Sequence, residues 1–319
     1  MIKIPTLLLN EENSLEALIS RLPEKHMYQK FLKAELHRQS AGIRGEQRLM
    51  KKLEEFECEE DLIILSNINL TRGKLKIQMD SLLLTDSCAI IIESKNINGK
   101  IHFEEDLGEF FRFNNEGEKT VMEDPTIQLK RNMRFYDEWL KAKNIILPVK
   151  GLIVFTSKNC EFISKPQNTP ICKTYQLHHY LHNLLLNPPI ESSVNIKKLK
   201  KMLHKEQTPY RRSPLCEYYR IEPRLLKRGI RCAACGTVAE GNLRRMVWHC
   251  TKCGIKDSNS LNNAVSEYFS LISQTVTNRE FRDFYTLDSR HIASRILTKH
   301  DLEVSGELKN RRYHFKHSP

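Results

Sequence analysis

KIQMDSLLLTDSCAIIIESKN, residues 76–96, holds two apolar runs joined by a short polar turn at Thr85–Ser87. Asp80 enters the first run, and Glu93, Ser94 and Lys95 leave the second. Successive strand residues point to opposite faces, so Glu93 and Lys95 share a face with Ile91 while Ser94 points the other way. If the runs pair as an antiparallel hairpin, Asp80 returns to the neighbourhood of Glu93. Two carboxylates side by side repel unless a cation lies between them, and hard divalent ions such as magnesium take oxygen ligands. An acid pair with an adjoining lysine is thus a candidate site for phosphodiester hydrolysis. The pattern alone is weak, because acids at the ends of buried strands are usually solvated edge residues and E-x-K recurs by chance.

Working outward, a helix is expected from Gly45 to Phe56, with Leu49, Leu53 and Phe56 as its apolar stripe and Glu46 at the head of the inward face. An acid in a first helical turn also serves the helix dipole, worth about 0.3–1 kcal/mol. Gly42 and Gly45 would let the chain approach the sheet closely. Asp61–Asn69 reads as a first strand, and Gly99–Phe103 and Glu109–Phe113 as further short ones. Asp124 and Pro125 make a helix start, an N-cap acceptor followed by the residue best tolerated at the first helical position. That helix continues through Leu129, Met133, Tyr136 and Leu140, with Gln128 off the stripe. VKGLIVFT, residues 149–156, is a β-branched run expected as a central strand buried on both faces. Strands interleaved with helices predict an α/β core with a mixed sheet.

Several of these residues recur together in an order that resembles a known family. Gly42-Ile43-Arg44-Gly45-Glu46, then Gln78-Met79-Asp80, Glu93-Ser94-Lys95, Gly99, and Pro125 with Gln128 resemble the NERD (nuclease-related) domain of the PD-(D/E)xK, restriction-endonuclease-like superfamily. The resemblance covers about residues 37–160. Ser81 stands where the family often carries histidine, and Met79 where isoleucine is usual. The resemblance implies a restriction-endonuclease-like mixed β-sheet flanked by helices and a metal-dependent endonuclease. Catalytic roles would fall on Glu46, Asp80, Glu93, Lys95 and Gln128. Asp80, Glu93 and the main-chain carbonyl of Ser94 would hold Mg2+ or Mn2+, with Lys95 positioning the attacking water or stabilising charge on the phosphorus.

The chain has 319 residues, a net charge of +12 and 40% hydrophobic residues. It is long enough for two or three domains. No apolar run approaches the length of a bilayer span, and MIKIPTLLLNEENS is too short in apolar residues for a secretion signal, so a soluble, cytoplasmic protein is expected. The charge favours a polyanionic partner, a trait shared with ribosomal and membrane-surface proteins, so charge alone says little. The nuclease resemblance implies nucleic acid, in the first instance DNA, with no membrane partner expected and a homo-oligomer left open. Nine cysteines, four of them in two C-x-x-C pairs, suggest metal binding and reduced thiols. Cys58, Cys88, Cys160, Cys172 and Cys216 are taken as packing residues.

Cys232-Ala-Ala-Cys235 and Cys250-Thr-Lys-Cys253, with fourteen intervening residues, fit a zinc ribbon that presents four thiolates to Zn2+. Gly236 and Gly254 follow each pair, where a tight turn needs a small residue. Arg244, Arg245 and Trp248 on the intervening hairpin suit backbone contact and base stacking, although Trp248 could instead cover the ribbon core. Before it, IKKLKKMLHK at 196–205 with Arg211, Arg212, Arg224, Lys227, Arg228 and Arg231 makes a basic tract, either a solvated helix face or a phosphate contact. After it, helices are expected near Leu261–Ile272, Arg279–Tyr285 and Ser289–Leu297, with Thr277 and Glu280 as a capping box. Arg290 and Arg295 on the third would serve a helix-turn-helix.

The expected organisation is a helical lead-in over 1–36 packed against the next domain, a nuclease-like domain over 37–186, a basic connector over 187–230, the ribbon over 231–256 and a mainly helical nucleic-acid-binding segment over 257–319. Two readings remain. One is a Mg2+-dependent nuclease whose zinc-bearing C-terminal half binds substrate. The other is a DNA-binding or regulatory protein with an inactive nuclease-like core.

Overall fold

The computed structural model describes residues 8–186, 194–208, 212–239, 242–244, 247–257, 259–307 and 310–315. These fall into two units, Ala41–Tyr210 and Met1–Ser40 with Arg211–Pro319. Two helices precede the first strand. α1 (Glu11–Arg21) begins at Asn10, whose side chain accepts from Asn13 N. α2 (Gln29–Glu54) then runs 26 residues without a break, so the helix expected to start at Gly45 begins sixteen residues earlier. Gly42 and Gly45 are interior helical positions. A Cβ on Gly45 would come within 2.6 Å of Thr156 Oγ1 and 2.8 Å of Asn96 Cβ, whereas one on Gly42 would meet nothing within 4 Å. Only Gly45 is needed for close approach.

In the 41–210 unit the expected hairpin forms. β1 (Ile63–Arg72), β2 (Leu75–Leu84) and β3 (Ala89–Lys95) are antiparallel neighbours, with Ser81 opposite Ile92 and Leu84 opposite Ala89. The small four-stranded sheet is β4 (Gly99–Glu104), β5 (Glu109–Phe113), β6 (Lys119–Met122) and, later in the chain, β8 (Cys160–Phe162), ordered β6-β5-β4-β8. α3 (Pro125–Lys141) starts as expected, with Asp124 accepting from Thr126 N and proline in the first turn. β7 (Val149–Phe155) and β9 (Ile171–Lys173) complete the main sheet in the order β1-β2-β3-β7-β9. β3, β7 and β9 are mutually parallel, so the sheet is mixed and β7 is interior, as its apolar run predicted.

The strand period assigns the two faces. Ile91, Ile153 and Phe155 pack with Leu129, Phe135 and Tyr136 of α3. Ile90, Ile92, Leu152 and Val154 pack with Leu49, Leu53 and Phe56 of α2 and with Leu177 and Leu181 of α4 (Leu177–Leu185). The basic stretch at 196 forms α5 (Ile196–Glu206), and Ile196, Leu199 and Leu203 lie in the α3-side core with Leu65 and Leu70. Its lysines therefore form the outer face of a helix built into this unit. Burial pushes the thiol of Cys160 up to about 11 and that of Cys172 to about 12, which suits apolar packing roles.

In the other unit, Leu15, Leu18 and Leu22 share one core with Trp248, Leu261, Val265 and Phe281. The N-terminal helix is thus part of the core formed by the C-terminal residues, a correction to its expected packing against the next domain in sequence. Its apolar stripe called for a partner but could not say which. Arg21, fully buried on α1, bonds Glu267 and the carbonyls of Lys227 and Gly229, while Arg231 also bonds Glu267. Arg231 of the basic tract is therefore held inward by an ion pair. After α6 (Leu215–Tyr218) come β10 (Ile230–Arg231) paired with β11 (Val238–Ala239), and the sheet β12 (Asn242–Arg244), β13 (Val247–His249) and β14 (Lys256–Asp257). The three expected helices follow as α7 (Asn259–Leu271), α8 (Asn278–Tyr285) and α9 (Arg290–Thr298), and the Thr277/Glu280 capping box is present. Three strands join them: β15 (Thr275–Thr277), β16 (Leu302–Ser305) and β17 (Arg312–Phe315). The segment is less purely helical than its sequence suggested, because strands of three or four residues carry too short an alternation to register. No helix of the described residues is long and apolar enough to cross a membrane.

Candidate active site and four-cysteine metal site

Glu93 and Lys95 leave the carboxyl end of β3 on the α3 side of the sheet. Lys95 Nζ donates to Glu93 Oε1 at 2.8 Å and to Gln128 Oε1 of α3 at 2.9 Å. Asp80 Oδ2 accepts from Ser94 N at 2.8 Å and from Ser94 Oγ at 3.0 Å. Four of the five expected catalytic side chains, Asp80, Glu93, Lys95 and Gln128, are thus brought together. Glu93 is almost completely buried, and its Oε2 has no hydrogen-bond partner. Burial first, and the Asp80 charge second, push its carboxyl up to about 7.

Asp80 owes its position to a distortion. The β1–β2 register pairs Ser66 with Ser81 and Ile68 with Met79, and between them Asn67 takes φ 53°. Ile77 and Met79 before this point, and Leu82 and Leu84 after it, all reach the same core, so the buried parity of β2 switches around Asp80. Gln78 Nε2 donates to Asn67 Oδ1, and Asn132 Nδ2 of α3 donates to the Gln78 carbonyl at 2.9 Å. Gln78 and the fully buried Asn132 are hydrogen-bonded beside this switch. Gln78 stood in the sequence only as part of the Gln78-Met79-Asp80 motif, and Asn132 did not stand out at all, because an amide on a helix has no periodicity to mark it.

Glu46 is exposed, which corrects its expected inward orientation. The physical reason is the helix it rides on, since Leu49, Leu53 and Phe56 of α2 cover the sheet face opposite Glu93. Among the described residues Glu46 does not join Asp80 and Glu93 in a three-carboxylate group, the four cysteines being the group of three or more ligand residues that could hold a metal. α2 meets the strand ends through Arg48, which donates to Thr156 O at 3.0 Å and to Asn96 Oδ1 at 2.7 Å. Arg131, one turn beyond Gln128 on α3, lowers the Glu93 carboxyl electrostatically and is exposed. A surface depression lined by Gly99, Lys100, Phe113, Asn114 and Asn159 lies in the small sheet and contains none of these side chains.

Residues 41–156 match the family model NERD, the nuclease-related domain. No curated protein and no solved structure matches the chain. The nuclease-related domain spans α2 from its second glycine-bearing half through β7, and so contains every residue of the converging set. The match suggests a nuclease-related function for residues 41–156, with a nucleic acid implied as partner.

The donor set at the domain's strand ends suits a hard cation. Asp80 and Glu93 offer carboxylate oxygens, one of them buried and without a partner, and the Glu93 carboxyl is raised by its burial first and by the neighbouring Asp80 charge second.

In the C-terminal residues, Cys232, Cys235, Cys250 and Cys253 place their sulfurs within 4.8 Å of one another. Cys232 and Cys253 are 3.7 Å apart at sulfur, as are Cys235 and Cys250. A tetrahedron of Zn–S bonds of about 2.3 Å has edges of about 3.8 Å, so the group could hold zinc. The two knuckles repeat one backbone pattern. Gly236 N donates to Cys232 O and Gly254 N to Cys250 O, both glycines having positive φ, while Cys232 N and Cys250 N donate to Thr237 O and Ile255 O. Trp248 is fully buried in the core, which corrects its expected role in base stacking. Arg245 and the side chain of Arg244 lie outside the described residues. Arg290 and Arg295 are exposed on α9.

Proposed function

We propose that the 41–210 unit is a divalent-metal-dependent endonuclease that hydrolyses phosphodiester bonds in DNA. The observation that carries the proposal is the buried, unpartnered Oε2 of Glu93 beside Asp80, with Lys95 strung between Glu93 and Gln128. Asp80, Glu93 and the Ser94 carbonyl would hold Mg2+ or Mn2+. A bound ion would polarise the scissile phosphate and lower the pKa of its water. The chain's own residues do the rest. Ser94 fixes Asp80 through two hydrogen bonds, so the carboxylate is oriented before any ligand arrives. An ammonium has three donors, and with two given to Glu93 and Gln128, Lys95 directs its third toward a phosphate oxygen or the attacking water. Arg131 adds positive charge on the same helix as Gln128. Glu46 is assigned at most a contact through water.

In the other unit the four thiolates would bind Zn2+ in a structural site, and the exposed cations of that unit would bind substrate.

The test is incubation of the full chain with plasmid and with single-stranded DNA, with Mg2+, Mn2+ or chelator. Cleavage is expected with metal only. Alanine at Asp80, Glu93 or Lys95 should lower it by at least about a hundredfold while circular dichroism stays unchanged. DNA binding that survives chelation, with no cleavage under any divalent ion, would select the inactive-core reading.

A further inference from the structure

We infer that the described residues of 259–315 form a winged helix that binds double-stranded DNA, with α9 in the major groove and β17 beside the sugar–phosphate backbone. The assignment goes beyond the hydrolytic reading and does not depend on it.

The chain runs α7, β15, α8, α9, β16, β17, and the sheet order is β15-β17-β16, so the last strand closes between the other two. Val276 pairs with Tyr313, and Val304 with Tyr313 from the other side, which ties the hairpin to the strand that enters α8. A helix-turn-helix is thereby backed by a three-stranded sheet. The turn between α8 and α9 is the four residues 286–289, with Thr286 at φ 52° ending α8 and Ser289 capping α9. Asn278, the first residue of α8, donates from Nδ2 to both Arg290 O and Ser294 Oγ at 3.0 Å. Arg282 donates to Asn278 Oδ1 at 3.2 Å and to Asp288 O at 3.3 Å. One amide and one guanidinium therefore fix the angle at which α9 is presented.

Charge then selects which helix meets the duplex. α9 buries Ala293, Ile296 and Leu297 and exposes Arg290, His291, Arg295 and Thr298, with no acidic residue along its length. α8 carries Glu280 and Asp283 among its arginines and cannot lie along phosphates at equal advantage. Arg311 and Arg312 are exposed where β17 begins, with Glu303 on β16 and Glu307 also exposed nearby, so the backbone contact is assigned to this arginine pair at the start of β17. Arginines in the first turns of a helix in the major groove can read base edges, and those beside it can neutralise phosphates. A B-form major groove is wide enough for a helix, and the deep, narrow groove of A-form RNA is not.

The experiment measures binding of the full, zinc-loaded chain in magnesium-free buffer to a short DNA duplex, to its single strands and to an RNA duplex. Because it reads binding without cleavage, the hydrolytic reading can fail while this one stands. The duplex should bind tightest. Arg290→Ala with Arg295→Ala should weaken it about tenfold or more. Arg311→Ala with Arg312→Ala should weaken all duplexes alike and reduce the slope of log affinity against log salt by up to about two. If an alanine pair lowers the melting temperature, Arg290→Lys with Arg295→Lys replaces it, and intermediate binding is expected because charge is kept and bidentate geometry lost. Tighter binding to single strands or RNA, no binding to any nucleic acid, or unchanged duplex affinity in folded variants would overturn the assignment.

Discussion

Glu93 keeps its two carboxylate oxygens in different surroundings, one against Lys95 and one buried with no partner. Its carboxyl, raised from 4.5 to about 7, binds its proton more tightly in the folded chain than in the unfolded one. The sign of the linkage follows. Below pH 4.5 the group is neutral in both states and costs nothing. As pH rises from 4.5 to about 7, the unfolded chain ionises first, and the metal-free fold loses stability, by roughly 3 kcal/mol in all. Thermal melting in chelator should therefore show Glu93→Gln more stable than the parent at pH 8 and level with it at pH 4. A divalent ion should raise the melting temperature of the parent at pH 8 and leave Glu93→Gln unmoved; equal responses would remove Glu93 from the metal site. Gln128 belongs to the same scale. Gln128→Ala takes one acceptor from Lys95, and cleavage should fall about tenfold, with the larger part of the loss in kcat, since the lysine is misdirected and not removed.

At the scale of elements, the two glycines of α2 make a paired prediction. Gly42→Ala fills open space in a helix interior and should stabilise by up to about 1 kcal/mol. Gly45→Ala drives a methyl against Thr156 Oγ1 and Asn96 Cβ and should cost about 1–3 kcal/mol despite the same gain in propensity. Chemical denaturation of both variants checks the contrast, and equal effects would mean that α2 does not seat on the strand ends through Gly45. The parity switch in β2 is a second element-scale feature. Asn132→Ala removes the donor to the Gln78 carbonyl from a fully buried position. It should cost about 1–3 kcal/mol and lower cleavage through displacement of Asp80, although the side chain touches neither carboxylate.

For the whole molecule, the cysteine group belongs to the same core as α1 and the C-terminal helices, since Cys232, Cys250 and Trp248 are buried with Leu18, Leu261 and Phe281. Removing zinc, by chelator or by Cys250→Ser, should therefore loosen more than two turns. Metal analysis should find one zinc per chain. Hydrogen exchange after its removal should rise at 230–257 and along α1, while β3 and β7 stay protected. Exchange unchanged at α1 would confine the metal's influence to the knuckles.

Local chemistry made much of this legible. The hairpin, the parity of Glu93 and Lys95, the Asp124 start of α3, the capping box at Thr277 and the spacing of the four cysteines each depend on residues within a few positions of one another. Gln128 was readable only through its place in a family pattern, because nothing on its own helix points to Lys95. The tertiary structure alone decided the rest. It buried Trp248, turned Glu46 outward by setting α2 on the far face of the sheet, and gave the N-terminal helix its partners in the C-terminal half. It built α5 into the 41–210 unit and switched the buried parity of β2 around Asp80, which meets Ser94. Periodicity states that a face will be covered. Which element covers it depends on contacts between residues tens to hundreds of positions apart, and those carry no mark in the local pattern.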